Sequence, residues 1–449
     1  MGRFAFILLG IITCLSAFLL FQIELIVAKL FLPIYGGSYL VWGACVVFFQ
    51  AVLLGGYLFT HQIVKKWGIE RYLKLHLLLL IIPFIFFPRT SIQLNAQLTS
   101  LPLVLDVFLR LLLTIGPVFF VLSTISLVTQ SWLSSSGLKE RGHPYILYAV
   151  SNIGSFAALW TYPFLVEFFL ANSQQQNIWR LCYCVLVVLN LIAYRFIAVK
   201  KEADVAVIKD APVARAVALR WLVLSAASVM LFLSITNIIT YEVAPLPLLW
   251  IIPLSLYLLS FIIAFKRKPW NMPWLNAACV FMIFLGILLY YEVKLTYLPS
   301  SWTIILFNVM LFVLCLWSQT QLIKSKPADR QLTFFYVMIS LGGFIGGFVT
   351  SWIIPLISHT PVEFLLSLLL IACMFKRAWL RLVLIGFVFV AMVVDNFVNI
   401  HCYIYHRPPS QIIKRNYSGS YEVYDTKSGV RTFVHGTTLH GLQRGMPER

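Results

Sequence analysis

Near its amino terminus the chain reads Phe6-Ile-Leu-Leu-Gly-Ile-Ile-Thr-Cys-Leu-Ser-Ala-Phe-Leu-Leu20, a run without a charged residue. A second run of this kind covers Phe364–Phe375. A helix that spans a bilayer needs about 20 predominantly apolar residues, whereas the strands of an outer-membrane barrel alternate apolar and polar residues. Because both runs are continuous, the sequence predicts membrane-spanning helices and argues against a barrel.

The composition of the whole chain agrees with this prediction. Of its 449 residues, 61% are hydrophobic and 11% are charged, whereas soluble domains carry about 25% charged residues. The composition therefore excludes a soluble globular enzyme. The net charge of +18 comes from basic residues that concentrate in alternate loops, which is the pattern of cytoplasmic loops in membrane proteins. We therefore expect a lipid bilayer as the partner, and no nucleic acid.

Apolar runs separated by charged or Pro/Gly/Ser-rich breaks predict an all-α polytopic membrane protein with about 12 to 13 transmembrane helices. Lysine and arginine accumulate in every second break, as at Lys65-Lys66 and Lys200-Lys201. Such loops face the cytoplasm, so we expect a multi-pass protein of the bacterial inner membrane with a cytoplasmic amino terminus. The predicted spans are 4–31, 39–60, 72–88, 103–131, 145–169, 178–198, 218–239, 247–265, 273–291, 303–323, 332–357, 362–376 and 379–400.

The longest polar break, Lys200–Pro212, divides the spans six plus six, with one further helix. Two repeated bundles are typical of transporters, and Leu-Ser-Ala occurs early in both halves, at Leu15–Ala17 and Leu224–Ala226. Near the carboxyl end, Gly419–Tyr424 and Val430–His435 alternate β-formers across a turn and predict a β-hairpin. The predicted divisions are a first six-helix bundle at 1–198, a cytoplasmic linker at 199–217, a second bundle at 218–404 and a β-containing tail at 405–449.

Several motifs occur in a fixed order along the chain. They are Glu24-Leu-Ile-Val-Ala-Lys-Leu-Phe-Leu-Pro-Ile-Tyr-Gly-Gly-Ser38, Phe48–Tyr57, Pro144–Ser155, Pro247–Tyr257 and Gly342–Gly347. In this order they resemble the bacterial membrane proteins in which a major-facilitator-like transporter region is fused to a spermidine-synthase-like domain. The tail, with His435, His440 and Gln443, is similar to the β-hairpin region that opens the synthase-like part. The resemblance implies a polyamine-related function.

The resemblance does not extend to the catalytic domain. Family members continue into a Rossmann-like domain with a Gly-rich nucleotide turn, whereas Gly342–Gly347 lies in a hydrophobic run and the sequence ends at Arg449. We therefore expect no catalytic residues, no cofactor and no polyamine synthesis from this chain alone. Three functions stay open: a shortened or split fusion protein with a separate synthase-like partner, a stand-alone transporter, and a structural subunit of a larger membrane or envelope assembly.

Charged residues inside predicted spans are costly to bury and are therefore candidate sites. Glu24 and Lys29 share the first span but point about 140° apart around an ideal helix, so we expect their partners on other helices. Glu24, Glu167, Glu242 and Glu363 all map toward the non-cytoplasmic ends of different spans. Separated carboxylates suit the separated ammonium groups of a di- or polyamine, but ordinary solvated helix ends explain them equally simply.

Two further patterns indicate structure rather than chemistry. Asp106 and Arg110, spaced i and i+4, predict an intrahelical ion pair. Small residues permit the close approach of helices in lipid; those assigned to packing seams are Ser151, Asn152, Gly154, Ser155, Gly342, Gly343, Gly346 and Gly347. His435 and His440 lie on or beside a strand, so their spacing predicts no metal site.

Overall fold

The computed structural model describes residues 2–35, 39–86, 103–199, 213–243, 250–267, 272–295, 299–327, 331–358, 360–397, 412–416, 419–426, 429–435 and 438–444. Within these ranges the chain is mainly helical up to Phe397 and forms strands from Ile412 onward. The helices are α1 Gly2–Tyr35, α2 Tyr39–Leu79, α3 Ile82–Phe86, α4 Leu103–Thr114, α5 Gly116–Ser134, α6 Tyr145–Thr161, α7 Glu167–Phe169, α8 Asn172–Phe196, α9 Arg215–Val243, α10 Ile251–Ala264, α11 Leu275–Leu295, α12 Ser300–Lys324, α13 Leu332–Phe348, α14 Ile354–Ile357, α15 Val362–Cys373 and α16 Ala378–Phe397. A π-helical segment, Tyr162–Val166, joins α6 to α7, and another, Val349–Ile353, joins α13 to α14.

The predicted polytopic helical fold is confirmed. Among the described residues, 8 helical segments are long and apolar enough to cross a membrane. Shorter apolar helices occur at Ile251–Ala264, Leu275–Tyr291 and Val362–Cys373. The last of these is the twelfth predicted span, which is also the shortest apolar run in the sequence-based assignment.

The second and third predicted spans form one long element with a reversal inside it. Helix α2 has 41 residues, which would extend about 62 Å as a straight helix, twice the hydrocarbon thickness of about 30 Å. At Gly68 the backbone is not helical, with φ 74° and ψ 164°, a conformation that glycine adopts at little cost. Thr60 Oγ1 lies 2.9 Å from the hydroxyl of Tyr72, so the chain doubles back between these residues.

The alternation of spans defines two sides of the molecule. We call the side at which α1 begins the near side, and the side at which α1 ends the far side. Residues from different helices meet accordingly: Trp132 Nε1 donates to the Ile197 carbonyl at 3.3 Å on the near side, where α5 and α8 both end. On the far side, Tyr35 at the end of α1 meets Asp106 at the start of α4.

The two halves repeat the same helix pairings. In the first half α1 packs on α5, α6 and α8, and α2 packs on α5. In the second half α9 packs on α12, α13 and α15, and α10 packs on α12. The halves meet along α2–α13 and α6–α10, while α16 packs on α11 and α15 as the additional span. This is the six-plus-six arrangement, with one further helix, that the sequence predicts.

The tail is larger than the predicted hairpin. Its strands are β1 Ile412–Asn416, β2 Gly419–Asp425, β3 Val430–His435 and β4 Thr438–Arg444. They form one 4-stranded antiparallel sheet in the order β1-β2-β3-β4. The predicted hairpin is β2–β3, and a strand pairs on each side of it. Strand β1 lies against α14, which is at the far side.

Candidate functional site

The far side of the first half carries an ion pair between two helices. Lys29 Nζ on α1 lies 3.3 Å from Glu167 Oε1 at the start of α7, and the side chains are 33% and 45% exposed. The expectation that Lys29 finds its partner on another helix agrees with this contact. Glu24, on the same helix, is half-buried, and among the described residues no ion pair involves it.

The remaining candidate carboxylates are Glu363 and Glu242. Glu363 belongs to the second half, at the start of α15, and is fully buried. It lies within electrostatic range of Tyr290, whose hydroxyl donates to Asp395 Oδ2 at 2.8 Å. The side chain of Glu242 lies outside the described residues. The four glutamates of the sequence prediction are divided between the halves, and among the side chains that the structure describes Lys29 and Glu167 form an ion pair.

A second ion pair in the first half is sealed from solvent. Arg110 Nε lies 2.9 Å from Asp106 Oδ1, with side-chain exposures of 11% and 3%. The hydroxyl of Tyr35 donates to the other carboxylate oxygen of Asp106 at 2.6 Å. The i and i+4 pair that the sequence predicts is present, and Tyr35 ties it to α1.

The small residues lie where helices cross at close range. A Cβ on Gly154 would overlap the carbonyl oxygen of Cys14 on α1, and a Cβ on Gly342 would overlap that of Leu222 on α9. Gly346 faces Ala226 on α9 in the same way. These crossings lie within about a turn of the repeated Leu-Ser-Ala sequences. Gly154 and Gly342 therefore occupy corresponding places in the two halves.

The other members of the packing set have different surroundings. Gly347 faces the side chain of Gln50 on α2, across the seam between the halves, and Gly343 faces Val229 in ordinary contact. Asn152 donates to the Tyr148 carbonyl of its own helix at 2.8 Å, rather than to a neighbouring helix. Ser155 is buried and Ser151 is half-buried.

A group of tyrosines that the sequence did not predict as a site lies at the seam between the halves. Tyr57 on α2, Tyr148 on α6, Tyr257 on α10 and Tyr336 on α13 converge there, and we call them the seam tyrosines. The rings of Tyr148 and Tyr336 are 4.8 Å apart. Phe261 links Tyr148 to Tyr257 through ring contacts of 5.4 and 5.3 Å. Short motifs shared by the two halves are the signal that identifies these residues from sequence.

Two of the three tail residues of the family motif lie on the surface of the sheet. His440 and Gln443 are exposed on β4, and the side chain of His435 lies outside the described residues. Phe433 is 6.0 Å from the ring of His440. Arg431 is paired with Asp425 at 2.9 Å, and the hydrogen bonds to that carboxylate raise the pKa of Arg431.

Comparison with known proteins identifies the fold and nothing finer. The chain is similar to the major facilitator superfamily proton:xylose symporter XylE bound to 6-bromo-6-deoxy-D-glucose, with 11% identity, coverage of 89% of this chain and 97% of that one, and a TM-score of 0.51. It is also similar to PepTSo, a transporter of the POT family, with 11% identity, 90% and 99% coverage, and a TM-score of 0.51. The inward-open XylE from E. coli gives 12% identity, 87% and 95% coverage, and a TM-score of 0.50.

No protein-family profile matches the sequence, and no curated protein matches it. The structural similarities cover about nine-tenths of this chain and agree with the repeated helix pairings of the two halves. The fold is therefore that of major facilitator superfamily transporters, in a chain that spans a membrane many times. The synthase-like part of the resemblance has no counterpart in these comparisons.

Proposed function

We propose that this chain is a secondary membrane transporter that moves small organic cations, with di- and polyamines as the substrate class. The observation that carries the proposal is the open Lys29–Glu167 ion pair in a transporter fold. Because both side chains keep a third or more of their surface exposed, an ammonium group of a solute can take the place of Lys29 Nζ at the Glu167 carboxylate.

Glu24 extends this arrangement along α1. It is half-buried, and a carboxylate held among apolar helices is stabilised by any cation that reaches it. A solute with two ammonium groups can therefore exchange for Lys29 at Glu167 with one end and approach Glu24 with the other. Separated charges on the solute match separated charges on the protein.

Uptake into proteoliposomes that contain only this chain tests the proposal. We expect radiolabelled 1,4-diaminobutane and spermidine to enter, and Glu167→Gln and Glu24→Gln each to reduce uptake by about 10-fold, as for the loss of one charge-assisted hydrogen bond. Glu140→Gln is the matched control, because Glu140 lies in the near-side segment Lys139–Gly142. Wild-type vesicles that take up neither amine would contradict the proposal.

The near side is proposed to be cytoplasmic and the membrane to be a bacterial inner membrane. The proposal is supported by exposed basic side chains around the reversal at Gly68, namely Lys65, Lys66, Arg71 and Lys74. Positively charged loops are retained in the cytoplasm. Modification of single cysteines introduced at Lys66 and at Glu167 by a membrane-impermeant thiol reagent, in intact cells against opened membranes, tests the orientation.

A role in a larger assembly is the second candidate, favoured by the outer strand of the sheet. Strand β4 is an edge strand with Leu439 and Leu442 exposed, and an edge of this kind accepts a strand from another chain. We propose a separate synthase-like subunit, or another envelope protein, as the partner. Purification in mild detergent followed by native mass spectrometry tests for such a partner. A chain that purifies without any bound protein contradicts this role.

A further inference from the structure

Three pairs of helices in the two halves share short sequence motifs. On α2 and α10, Tyr57-Leu-Phe-Thr60 corresponds to Tyr257-Leu-Leu-Ser260. Helices α6 and α13 carry residues of similar type at the same spacing: Tyr148, Asn152 and Gly154 on α6 correspond to Tyr336, Ser340 and Gly342 on α13. On α5 and α12, Ser126-Leu-Val-Thr-Gln-Ser131 corresponds to Cys315-Leu-Trp-Ser-Gln-Thr320. The motifs place the seam tyrosines in equivalent pairs, and they add the pair Gln130 and Gln319.

The geometry of the seam follows this equivalence. Tyr148 and Tyr336, which are equivalent, contact each other with ring centroids 4.8 Å apart. Tyr57 lies within electrostatic range of both Tyr336 and Tyr148, and its equivalent Tyr257 lies within electrostatic range of Tyr148. A residue that meets its own equivalent lies at a two-fold axis. The pseudo-two-fold axis relating the halves therefore passes between Tyr148 and Tyr336.

Polar atoms without partners accompany these tyrosines. Gln130 is 1% exposed; its amide nitrogen donates to the Ser126 carbonyl at 3.0 Å, and its Oε1 has no hydrogen-bond partner among the described residues. Gln319 is 0% exposed, and both its Oε1 and its Nε2 lack partners there. The hydroxyls of Tyr336 and Ser340 are also buried without partners in the described part of the chain. Buried polar groups are normally hydrogen-bonded.

Gln130 and Gln319 connect to the seam through equivalent neighbours. Gln130 Nε2 lies 3.3 Å from the hydroxyl of Ser126, which in turn lies beside the hydroxyl of Tyr57. One turn before Gln319, Cys315 lies within electrostatic range of Tyr257. Residues four apart share one face of a helix, so each glutamine is on the helix face that reaches a seam tyrosine.

We infer that the seam tyrosines, Gln130 and Gln319 together form a solute site with two equivalent ends, and that it takes an α,ω-diammonium ion. The inference rests on the proposed function and names the place where the transported cation is held between the halves. Aromatic faces attract ammonium groups, and the free Gln130 and Gln319 carbonyls accept their hydrogens. Because the rings of Tyr148 and Tyr336 are in contact, the solute enters only when the halves separate.

The chemistry of the site favours a cation with two like ends over an anion or a one-ended solute. The free acceptor atom of Gln130 requires a donor, and an ammonium group offers three. An anion requires positive charge or several unoccupied donors, whereas the partner-free amide atoms of the two glutamines among the described residues are two acceptors, Gln130 Oε1 and Gln319 Oε1, and one donor, Gln319 Nε2. The equivalence of the halves doubles each contact, so a diamine uses both sets and a monoamine uses one.

Equilibrium binding to the full-length chain in nanodiscs tests the site separately from transport. The probes are radiolabelled 1,4-diaminobutane, 1-aminobutane and the neutral 1,4-butanediol. We expect the diamine to bind about 10-fold or more tightly than either comparator. Gln130→Leu and Gln319→Leu are each expected to raise the Kd of the diamine by about 10-fold, the effect of one hydrogen bond to a charged group.

The matched control is Gln176→Leu, because Gln176 on α8 is also a buried glutamine whose Oε1 lacks a partner among the described residues. We expect its Kd to equal that of the wild type. Thermal unfolding of each variant verifies folding, and Tyr148→Phe and Tyr336→Phe, which keep the rings, replace any glutamine variant that fails to fold. Because they keep the aromatic faces, each is expected to raise the Kd only a few-fold, by the loss of one hydroxyl.

The outcomes separate the site from the proposed function. Absence of diamine binding to the wild type, or folded glutamine variants with unchanged Kd, overturns the site. Binding that is weakened equally by Gln130→Leu and Gln319→Leu but not by Gln176→Leu supports it. A chain that binds the diamine in this way without transporting it contradicts the proposed function and leaves the site in place. Unimpaired uptake by both glutamine variants contradicts the site and leaves the proposed function in place.

Discussion

Two ion pairs at the far side of the first half have nearly the same chemistry and opposite surroundings. Asp106 and Arg110 lie one turn apart on α4, with 3% and 11% of their side chains exposed, and Tyr35 occupies the second carboxylate oxygen. Lys29 and Glu167 join α1 to α7 with 33% and 45% exposed. Burial, rather than charge, therefore distinguishes the Asp106–Arg110 pair from the Lys29–Glu167 pair, which we propose a solute can enter.

The physical reason is the balance between desolvation and attraction. Removing one partner of a buried pair leaves an uncompensated charge in an environment without water. Removing one partner of an exposed pair leaves a charge that water solvates, so little stability is lost. The sealed pair therefore stabilises the fold, whereas the role we propose for the open pair is to exchange Lys29 for a solute cation.

The largest expected effect comes from breaking the sealed pair. Arg110→Met leaves Asp106 buried and unpaired by arginine, and we expect it to lower the free energy of unfolding by about 3–5 kcal/mol. Thermal and denaturant unfolding in detergent measure the loss. The double variant Arg110→Met/Asp106→Leu removes both charges and is expected to recover most of it. If the single variant unfolds like the wild type, the two ion pairs do not differ as described.

A change that adds volume but no charge sharpens the comparison. Gly154→Ala and Gly342→Ala place a methyl group against backbone carbonyl oxygens of α1 and α9, and we expect each to lower the free energy of unfolding by about 1–3 kcal/mol. Gly386→Ala on α16 is the control, since no atom lies within 4 Å of its Cβ position. Similar losses at both crossings are expected from the repeated pairings, and a loss at only one would break the equivalence of the halves.

The smallest effect on stability is expected at the open pair. Lys29→Met removes the cation from Glu167, and because both side chains are partly solvated we expect a change below about 1 kcal/mol. The same variant should alter amine uptake, since Glu167 no longer has an internal competitor for the solute. Unfolding and proteoliposome uptake on one preparation measure both quantities. A stability loss as large as that of Arg110→Met would show that the open pair is structural as well.

Much of the fold is readable from the sequence because the bilayer imposes a strong length requirement on apolar runs. Phe6–Leu20 lies in α1 and Phe364–Cys373 lies in α15, and the i and i+4 spacing of Asp106 and Arg110 requires only local geometry. The tail shows the limit. Alternation identifies β2 and β3, whereas β1 and β4 carry Lys414, Arg415, His440 and Gln443 and become strands through pairing with their neighbours.

The candidate site was less predictable because side-chain partners depend on how spans pack. Sequence alone groups Glu24, Glu167, Glu242 and Glu363 by their height in the membrane, whereas packing determines that Glu167 meets Lys29 and that Glu363 is fully buried. The tyrosines at the seam look like ordinary apolar-run residues one at a time. Alignment of one half with the other distinguishes Tyr57 and Tyr148 from the chain's other tyrosines. Whether the aligned tyrosines lie close together depends on which helices pack against each other.

The reversal at Gly68 determines the direction in which every later span crosses the membrane. The change of direction at Gly68 adds one crossing of the membrane. The direction of each later span depends on the number of crossings before it. If the chain ran through residue 68 as a continuous helix, every subsequent segment would be inverted, and the 4-stranded sheet would emerge in the opposite compartment. The positive φ of Gly68 therefore helps to determine on which side of the membrane the sheet lies, although the sheet begins more than 300 residues later in the chain.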